Sequence, residues 1–320
     1  MKPTISILIP VYNAEKTIER TLDSILNQTV LPFEVLLLND GSSDSSLKIL
    51  EEYQKENNLF KVYTQQNSGV AITRQNLIKK ASGDYLLFCD ADDYYENNTV
   101  ELISNILEKE NVDLISYGYT LIKKSGNKTV LKRQLSEGIH SKKEYALYHI
   151  KGLTDLYYSS LWNKCLKKEL IVKNPPLEFQ HTMEDVIFNI EYMERCNSIY
   201  ILEKNLYNYD QIGDSLTRGE KKDTIQNIMD AFETFQYSYS KLKDTYPDYL
   251  KDISEYTYQM LISLCDRANK LNEASTYEFI KNSNFLAEIK SNLGFDGRII
   301  VLYKKLVSNL KYVVKKMLPK

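Results

Sequence analysis

Three carboxylates fall within four residues at Asp90-Ala91-Asp92-Asp93, directly after the apolar run Asp84–Cys89. Side chains this close repel one another unless a cation neutralises them. Mg²⁺ and Mn²⁺ prefer oxygen ligands, and they commonly join one or two carboxylates to substrate phosphates. The cluster therefore indicates a divalent-metal site. The alternative from the residues alone is a solvated acidic turn, or an aspartate that caps a helix beginning near Asn98.

Two further polar clusters follow apolar runs earlier in the chain. Asn39–Asp44 contains Asp40, which stands at a strand tip where a carboxylate can accept a hydrogen bond from a base N–H. Pro10–Glu15 contains Tyr12, whose ring can stack on a base. Taken alone, the first cluster also fits a tight turn with a Ser or Asp helix cap, and the second fits a loop with an ordinary tyrosine.

An alternation of strands and helices positions these clusters. Short segments of strand character predict four strands, at Ile5–Ile9, Phe33–Leu38, Phe60–Thr64 and Asp84–Cys89. Helical spacing of apolar residues predicts the intervening helices, over Ala14–Gln28, around Leu47–Tyr53 and over Gly69–Lys80. This pattern is typical of a parallel sheet with crossover helices, which binds its ligand at the carboxyl ends of the strands. We therefore expect the polar clusters at one sheet edge.

The rest of the chain divides near Gly219. Val112–Lys123 and Ile199–Tyr209 have strand character, and Glu184–Cys196 has helical character. Beyond residue 221 two amphipathic helical faces are predicted, and their apolar residues are Ile225, Ile228, Met229, Phe232 and Phe235, then Ile253, Tyr256, Met260, Leu261 and Leu264. We predict an α/β domain over 1–220 and a helical unit over 221–320.

Composition narrows the classes of partner. The formal net charge of −2 over 320 residues gives no indication of nucleic acid as a partner. The four cysteines are widely spaced and only three histidines are present, so a zinc site is not expected. The short apolar start does not resemble a secretion signal, and the sequence has no apolar stretch of membrane-spanning length. We expect a cytoplasmic protein with reduced thiols.

The segment 298–320 carries seven basic residues and no acidic one. The spacing of apolar residues within 299–318 predicts one apolar helical face, formed by Ile299, Leu302, Leu306, Leu310, Val313 and Met317. A basic amphipathic helix is typical of an element attracted to anionic lipid at a membrane surface. The alternative is a helix docked on the protein's own core with solvated lysines.

A resemblance now becomes visible in five segments that occur in one order along the first 220 residues. They are ISILIPVYN (5–13), LNDGSSD (38–44), NSGVAITRQN (67–76), GDYLLFCDADD (83–93) and Met183-Glu184-Asp185. In order and spacing this chain resembles the family 2 inverting glycosyltransferases of GT-A fold, especially bacterial members that build capsular, teichoic-acid and other surface glycans. The resemblance implies a Rossmann-like α/β fold with a mixed sheet flanked by helices, extended here by C-terminal helices.

The resemblance implies a donor site for a nucleotide-diphosphate sugar, most simply UDP-linked. Asp40 would read the base, Tyr12 would lie against the uracil, and Arg74 would lie near the base or diphosphate. The family usually has aspartate where this chain has Asn39; because Asp40 matches the base-reading position, the assignment is kept. The full set of donor-binding residues implied is Pro10, Tyr12, Glu15, Asp40, Arg74 and Asp90.

The resemblance also implies Asp92 as the principal ligand of Mn²⁺ or Mg²⁺ and Asp185, with Glu184 beside it, as the general base. One base without a covalent intermediate would invert the anomeric carbon. From the residues alone, Glu184-Asp185 also fits acids in the first turn of a helix. The implied activity is transfer of a hexosyl or N-acetylhexosaminyl group to a glycan or a lipid-linked acceptor.

Three further residues are candidates for acceptor or phosphate contacts, each with an equally simple structural alternative. Trp162, the only tryptophan, can offer a platform for a sugar, or can be a core residue. His181 precedes Asp185 by four residues and can reach a metal or phosphate, or can be an incidental loop histidine. Arg218 can pair with phosphate, or can lie in an interdomain linker.

Two other protein classes share this pattern of elements. A nicotinamide-dependent dehydrogenase is excluded, because it requires a glycine-rich turn after the first strand and Pro10–Glu15 contains no glycine. A non-catalytic nucleotide-sugar-binding protein on the same fold remains the alternative. The two differ in the expected effects of Asp92→Ala and Asp185→Ala: both would abolish transfer by an enzyme, and only the first would weaken donor binding.

Overall fold

The computed structural model describes residues 2–123, 125–130, 135–151, 156–172, 184–211 and 224–294. The chain divides into two compact units, Met1–Glu220 and Lys221–Lys320. The predicted positions His181 and Arg218 and the predicted basic helix over 299–318 lie outside the described residues.

The first unit is an α/β structure. Its strands are β1 (Ile5–Val11), β2 (Glu34–Asp40), β3 (Phe60–Gln65), β4 (Tyr85–Phe88), β5 (Tyr94–Tyr95), β6 (Leu114–Ile122), β7 (Lys128–Val130), β8 (Gly138–Ser141), β9 (Lys164–Lys167) and β10 (Ser198–Asp210). Its helices are α1 (Ile18–Leu26), α2 (Ser46–Glu56), α3 (Val70–Lys80), α4 (Thr99–Leu107), α5 (Lys142–Lys151), α6 (Leu156–Ser159), α7 (Lys168–Val172) and α8 (Glu184–Arg195).

Within the described residues these strands form one mixed sheet in the order β3-β2-β1-β4-β9-β6-β10-β5, with β7 on β6 and β8 on β10. Strands β1 to β4 are mutually parallel, β9 is antiparallel to both of its neighbours, and β6 pairs with β10 in parallel. The predicted α/β class, a mixed sheet flanked by helices, is confirmed. Strands β1, β2 and β4 are buried along almost their whole length, as expected for parallel strands covered on both faces.

The parallel direction of β1, β2 and β4 brings the three polar clusters to one edge of the sheet. The first two clusters also touch, since the Asn13 amide donates to Ser42 Oγ at 3.0 Å and the Ala14 amide to Ser46 Oγ at 2.8 Å. The expectation of a shared polar edge is therefore confirmed for the described residues. Helix α1 begins at Ile18, later than predicted, because Ala14 instead opens a turn whose carbonyl accepts from the Thr17 and Ile18 amides.

Strand β9 is the main feature of the sheet that the sequence pattern does not predict. It has four residues, of which Lys164 and Lys167 are lysines, so no apolar run marks it. It lies between β4 and β6 and runs antiparallel to both of them. The chain next to β9 thereby comes close to the carboxyl end of β4.

The second unit is helical in its described part. It contains α9 (Ile225–Thr245), a 3₁₀ turn (Pro247–Tyr249), α10 (Leu250–Lys270), α11 (Ala274–Lys281) and a further helix over 284–294. The two predicted apolar faces are buried at positions such as Ile228, Phe232 and Leu261, whereas Ile225 is 43% exposed. None of the described helices combines the length and the apolar character that crossing a bilayer requires.

Candidate active site

One buried arginine gathers three carboxylates from distant parts of the sequence. Arg74 Nη2 lies 3.0 Å from Asp90 Oδ1, and Arg74 Nη1 lies 3.0 Å from Glu184 Oε1 and in very close contact with Asp185 Oδ1. Helix α3, the end of β4 and the start of α8 meet at this point. We call Arg74, Asp90, Glu184 and Asp185 the Arg74 cluster.

Burial and charge set the electrostatics of the Arg74 cluster. Burial alone would lower the pKa of Arg74, but Asp185, Asp90 and Glu184 raise this pKa above its ordinary value. Burial raises the pKa of the Asp185 carboxyl to about 7; Arg74 and Lys164 oppose this rise, and Glu184 and Asp90 add to it. A carboxylate with a pKa near neutrality is well matched to take up a proton in a reaction at neutral pH.

The buried carboxyl group of Asp93 anchors the loop Asp90–Asp93 to strand β10. Asp93 is fully buried, and its carboxyl oxygens accept from the Tyr207 hydroxyl and the Asp210 amide, each at 2.8 Å. The Tyr207 hydroxyl also accepts from the Asp90 amide at 3.0 Å. Burial, followed by the charges of Asp90 and Asp92, raises the pKa of Asp93 well above its usual range. Asp93 therefore shapes the loop, while Asp90 and Asp92 remain partly exposed.

Arg20 of α1 holds the same loop from the side. Its Nη2 donates to the Asp92 carbonyl at 2.7 Å, and its Nη1 pairs with the Asp210 carboxylate. The guanidinium also lies over the Tyr94 ring, 4.9 Å from the centroid. Sequence reasoning missed Arg20 and Tyr207, because an exposed helix position and a strand tyrosine give no local signal of these contacts.

Asp40 lies at the same sheet edge, but most of its hydrogen-bonding capacity is taken up within the protein. It is 4% exposed; Oδ1 accepts from Gln65 Nε2 and the Ser68 amide at 2.8 Å each, and Oδ2 accepts from the Gly69 amide at 3.0 Å. A carboxylate offers about four acceptor sites, so about one remains. Its base-reading role stays a prediction, and its observed role is to hold the loop that leads into α3.

The other predicted nucleoside-pocket residues lie at the end of β1. Pro10 and Tyr12 are partly exposed there. Glu15 is exposed, and its Oε2 accepts from the Ser45 amide at 3.0 Å, so it caps the start of α2. The structure brings these residues to the polar edge, and their contact with a nucleoside stays a prediction.

Trp162 is placed in the core. It is 3% exposed and stacks on Tyr207 at 4.6 Å and on Tyr209 at 5.5 Å between ring centroids. Both neighbouring rings are nearly parallel to the indole. An indole covered in this way has no open face for an acceptor sugar, so its observed role is to support Tyr207 beneath the loop.

The acids of the loop fit a metal ion that arrives with its substrate. Among the described residues, no group of three or more Asp, Glu, His or Cys side chains could hold a metal by itself. Asp92 and Asp90 are partly exposed carboxylates on one short loop, and Asp90 is 30% exposed. Mg²⁺ and similar ions are usually bound by one or two carboxylates plus phosphate oxygens, so this donor set is adequate once a diphosphate is bound.

The fold and the acidic edge define a protein of the GT-A class. Residues 6–166 of the 320 match the family described as Glycosyl transferase family 2, and the chain belongs to that family. The family predicted from the five sequence segments is thus confirmed.

Known relatives agree with this assignment. The chain is 31% identical over 222 residues to "Uncharacterized glycosyltransferase EpsJ" of Bacillus subtilis, covering 68% of this chain and 64% of EpsJ. It is 32% identical over 126 residues to the B. subtilis "Putative teichuronic acid biosynthesis glycosyltransferase TuaG", covering 39% of this chain and 50% of TuaG. In both cases less than two thirds of the relative is spanned.

Among solved structures, that of S. aureus TarS 1-349 in complex with UDP-GlcNAc is similar with a TM-score of 0.59. The alignment covers 88% of this chain and 91% of the TarS chain at 18% identity. A likeness at this level of identity shows the fold alone.

Proposed function

We propose that this chain is an inverting glycosyltransferase that moves a hexose or N-acetylhexosamine from a UDP-sugar to an acceptor hydroxyl during synthesis of a bacterial surface glycan. The observation that carries the proposal is the Arg74 cluster, in which a carboxyl of near-neutral pKa stands beside the acidic loop after β4. The UDP-GlcNAc named with TarS and the teichuronic acid named with TuaG support the choice of donor and product.

Asp185 acts as the general base. Its carboxylate accepts the proton of the acceptor hydroxyl while the hydroxyl oxygen forms a bond to the anomeric carbon. The bond from that carbon to the diphosphate breaks, and the electron pair leaves with the diphosphate. A single displacement with one base inverts the anomeric carbon, and a positioned base typically contributes about 10²–10⁴-fold in rate.

The reaction also requires stabilisation of the negative charge that develops on the leaving diphosphate. Asp92, with Asp90 beside it, would hold Mn²⁺ or Mg²⁺, which when bound supplies Lewis-acid stabilisation of that charge. The chain's own contribution is the Arg74 guanidinium, which contacts both Asp90 and Asp185. Arg74 thus couples the donor side of the site to the base.

We further propose that the basic segment 299–318 brings the enzyme to anionic lipid at the inner face of the cell membrane. Its sequence has an apolar face and lysines on much of the remainder. Cosedimentation with vesicles containing phosphatidylglycerol should be lost on removal of residues 299–320, whereas neutral vesicles should bind neither form. Equal binding by both forms would contradict this assignment.

The proposed activity is tested with a panel of nucleotide sugars in the presence of Mn²⁺, scored for release of the nucleoside diphosphate. We expect slow hydrolysis of one UDP-sugar, faster turnover when cell membranes supply acceptor, and loss of both on chelation of the metal. Binding of donors without any cleavage, with or without membranes, would instead favour a non-catalytic nucleotide-sugar-binding protein.

A further inference from the structure

Lys164 is a buried cation that the reaction described above does not use. It is 1% exposed, and its Nζ donates to the Ser160 carbonyl and, at 2.9 Å, to Asn163 Oδ1. Lysine is almost never buried to this degree unless it is paired or has a functional task, because removing an ammonium group from water is costly. The position of this charge therefore calls for an explanation.

Hydrogen bonds connect Lys164 to the start of α8. Asn189, one turn after Asp185, donates from Nδ2 to the Asp185 carbonyl at 2.8 Å and to the Ser159 carbonyl at 2.6 Å. The same Nδ2 lies 3.4 Å from the Ser160 carbonyl, which also accepts from Lys164. Asn189 and Lys164 thus bind one buried turn from two sides, and that turn supports the residue proposed as the base.

Charged groups from four elements act on the Asp185 carboxyl. Arg74 on α3 and Lys164 on β9 favour its ionised form, whereas Glu184 on α8 and Asp90 after β4 disfavour it. Arg74 is shared among three carboxylates. Lys164 differs because it is 1% exposed and its ammonium group is held in the core by Ser160 and Asn163.

We propose that Lys164 is a positioning residue of the transfer reaction: its ammonium group, held by Ser160 and Asn163, favours the ionised carboxylate of Asp185 while Arg74 engages the donor. The inference rests on the proposed role of Asp185 as the base. In this proposal the turn of residues 159–164 holds the positive charge of Lys164 in a fixed position near the start of α8.

The test is the pH profile of kcat/KM for donor consumption in the full chain, measured for two variants of nearly unchanged shape. Lys164→Gln removes the charge but keeps a hydrogen-bond donor, and Asn163→Asp keeps the lysine but places a carboxylate against it. Because a nearby cation favours the carboxylate, either change should raise the pH below which activity falls. We expect an upward displacement of the acid limb by at most about 1 pH unit, because Lys164 has the smallest of the five effects that act on the Asp185 carboxyl.

Two control variants separate charge from structure. Lys167→Gln removes a lysine of the same strand whose Nζ lies 3.2 Å from Asn111 Oδ1, and it should leave the acid limb in place. Asn189→Ala loosens the support without removing a charge, so it should lower kcat at all pH values with no displacement of the limb.

An unchanged acid limb in a folded Lys164→Gln or Asn163→Asp protein overturns the proposal, and if only one variant folds, that variant decides. The failure of the proposed function itself looks different. It would appear as wild-type activity without an acid limb, or as an Asp185→Asn protein that retains wild-type activity.

Discussion

Two sets of acidic residues at one sheet edge have opposite surroundings. Asp40 and Asp93 are nearly or fully buried, and backbone amides and neutral side chains donate to their carboxyl groups. Asp90 and Asp185 are partly exposed and face the Arg74 guanidinium. We call the first pair the scaffold acids and compare it with the Arg74 cluster.

The difference shows that a position at a strand end does not by itself make an acid functional. The scaffold acids use their oxygens to fix loops, and Asp93 does so within the same four-residue motif as Asp90 and Asp92. Asp90 and Asp185 differ from the scaffold acids because they are partly exposed and contact the Arg74 guanidinium. Variants of the Arg74 cluster should therefore change rates, and variants of the scaffold acids should change stability first.

The largest effect is expected for Asp185→Asn. Removing the proton acceptor should lower the transfer rate by about 10²–10⁴-fold, because that is the usual contribution of a positioned base. Initial rates at saturating donor measure it. Glu184→Gln, the neighbouring acid in the same helical turn, is the matched control and should lose far less; equal losses in both variants would mean that the assignment of the base is wrong.

Asp92→Asn should produce the next largest loss. If Asp92 supports the charge on the leaving diphosphate, its removal should lower kcat by about 10²–10³-fold, as for other groups that stabilise developing charge. Excess Mn²⁺ should restore part of the activity. Full activity at all Mn²⁺ concentrations would show that the loop after β4 has no role at the diphosphate.

Asp93→Ala should act on stability. It leaves the Tyr207 hydroxyl and the Asp210 amide without their acceptor, which costs about 2 kcal/mol or more. The thermal midpoint should fall by about 4–8 °C by calorimetry. Asp93→Asn keeps one oxygen acceptor and should fall less. An unchanged thermal midpoint in Asp93→Ala would show that the hydrogen bonds of Asp93 do not stabilise the fold, and that Asp93 does not belong to the scaffold acids.

Asp40→Asn should give the smallest change, and it tests whether Asp40 binds the base in addition to holding its loop. If the remaining acceptor site of Asp40 reads the base, affinity for UDP should fall by about tenfold or less, as expected for one hydrogen bond. The affinity for CDP, which carries a different base, should fall by a different factor than the affinity for UDP. Equal changes for both nucleotides would assign Asp40 to the scaffold acids alone.

The sequence pattern predicts β1, β2 and β4 because they are covered on both faces and so appear as apolar runs. Strand β3 lies at the end of the sheet and is partly exposed, with apolar and polar residues alternating at the start of FKVYTQ. The pattern does not predict β9, whose four residues include Lys164 and Lys167. The order of motifs identifies both Arg74 and Asp185 as candidate site residues. Their contact joins positions 111 residues apart, and it depends on the tertiary structure, so the sequence pattern does not predict it. The burial of Lys164 and the reach of Arg20 likewise have no local sequence signal.

We propose separate roles for two carboxylates: Asp92 binds the metal and, through it, the donor diphosphate, and Asp185 accepts the proton of the acceptor hydroxyl. Isothermal titration calorimetry of UDP in the presence of Mn²⁺, on the wild-type chain, Asp92→Asn and Asp185→Asn, distinguishes these two roles. We predict equal affinity in the wild type and Asp185→Asn, and an affinity at least about tenfold weaker in Asp92→Asn, equivalent to about 1.4 kcal/mol. Wild-type affinity in Asp92→Asn, or an equal loss in Asp185→Asn, would show that the two carboxylates do not have these separate roles.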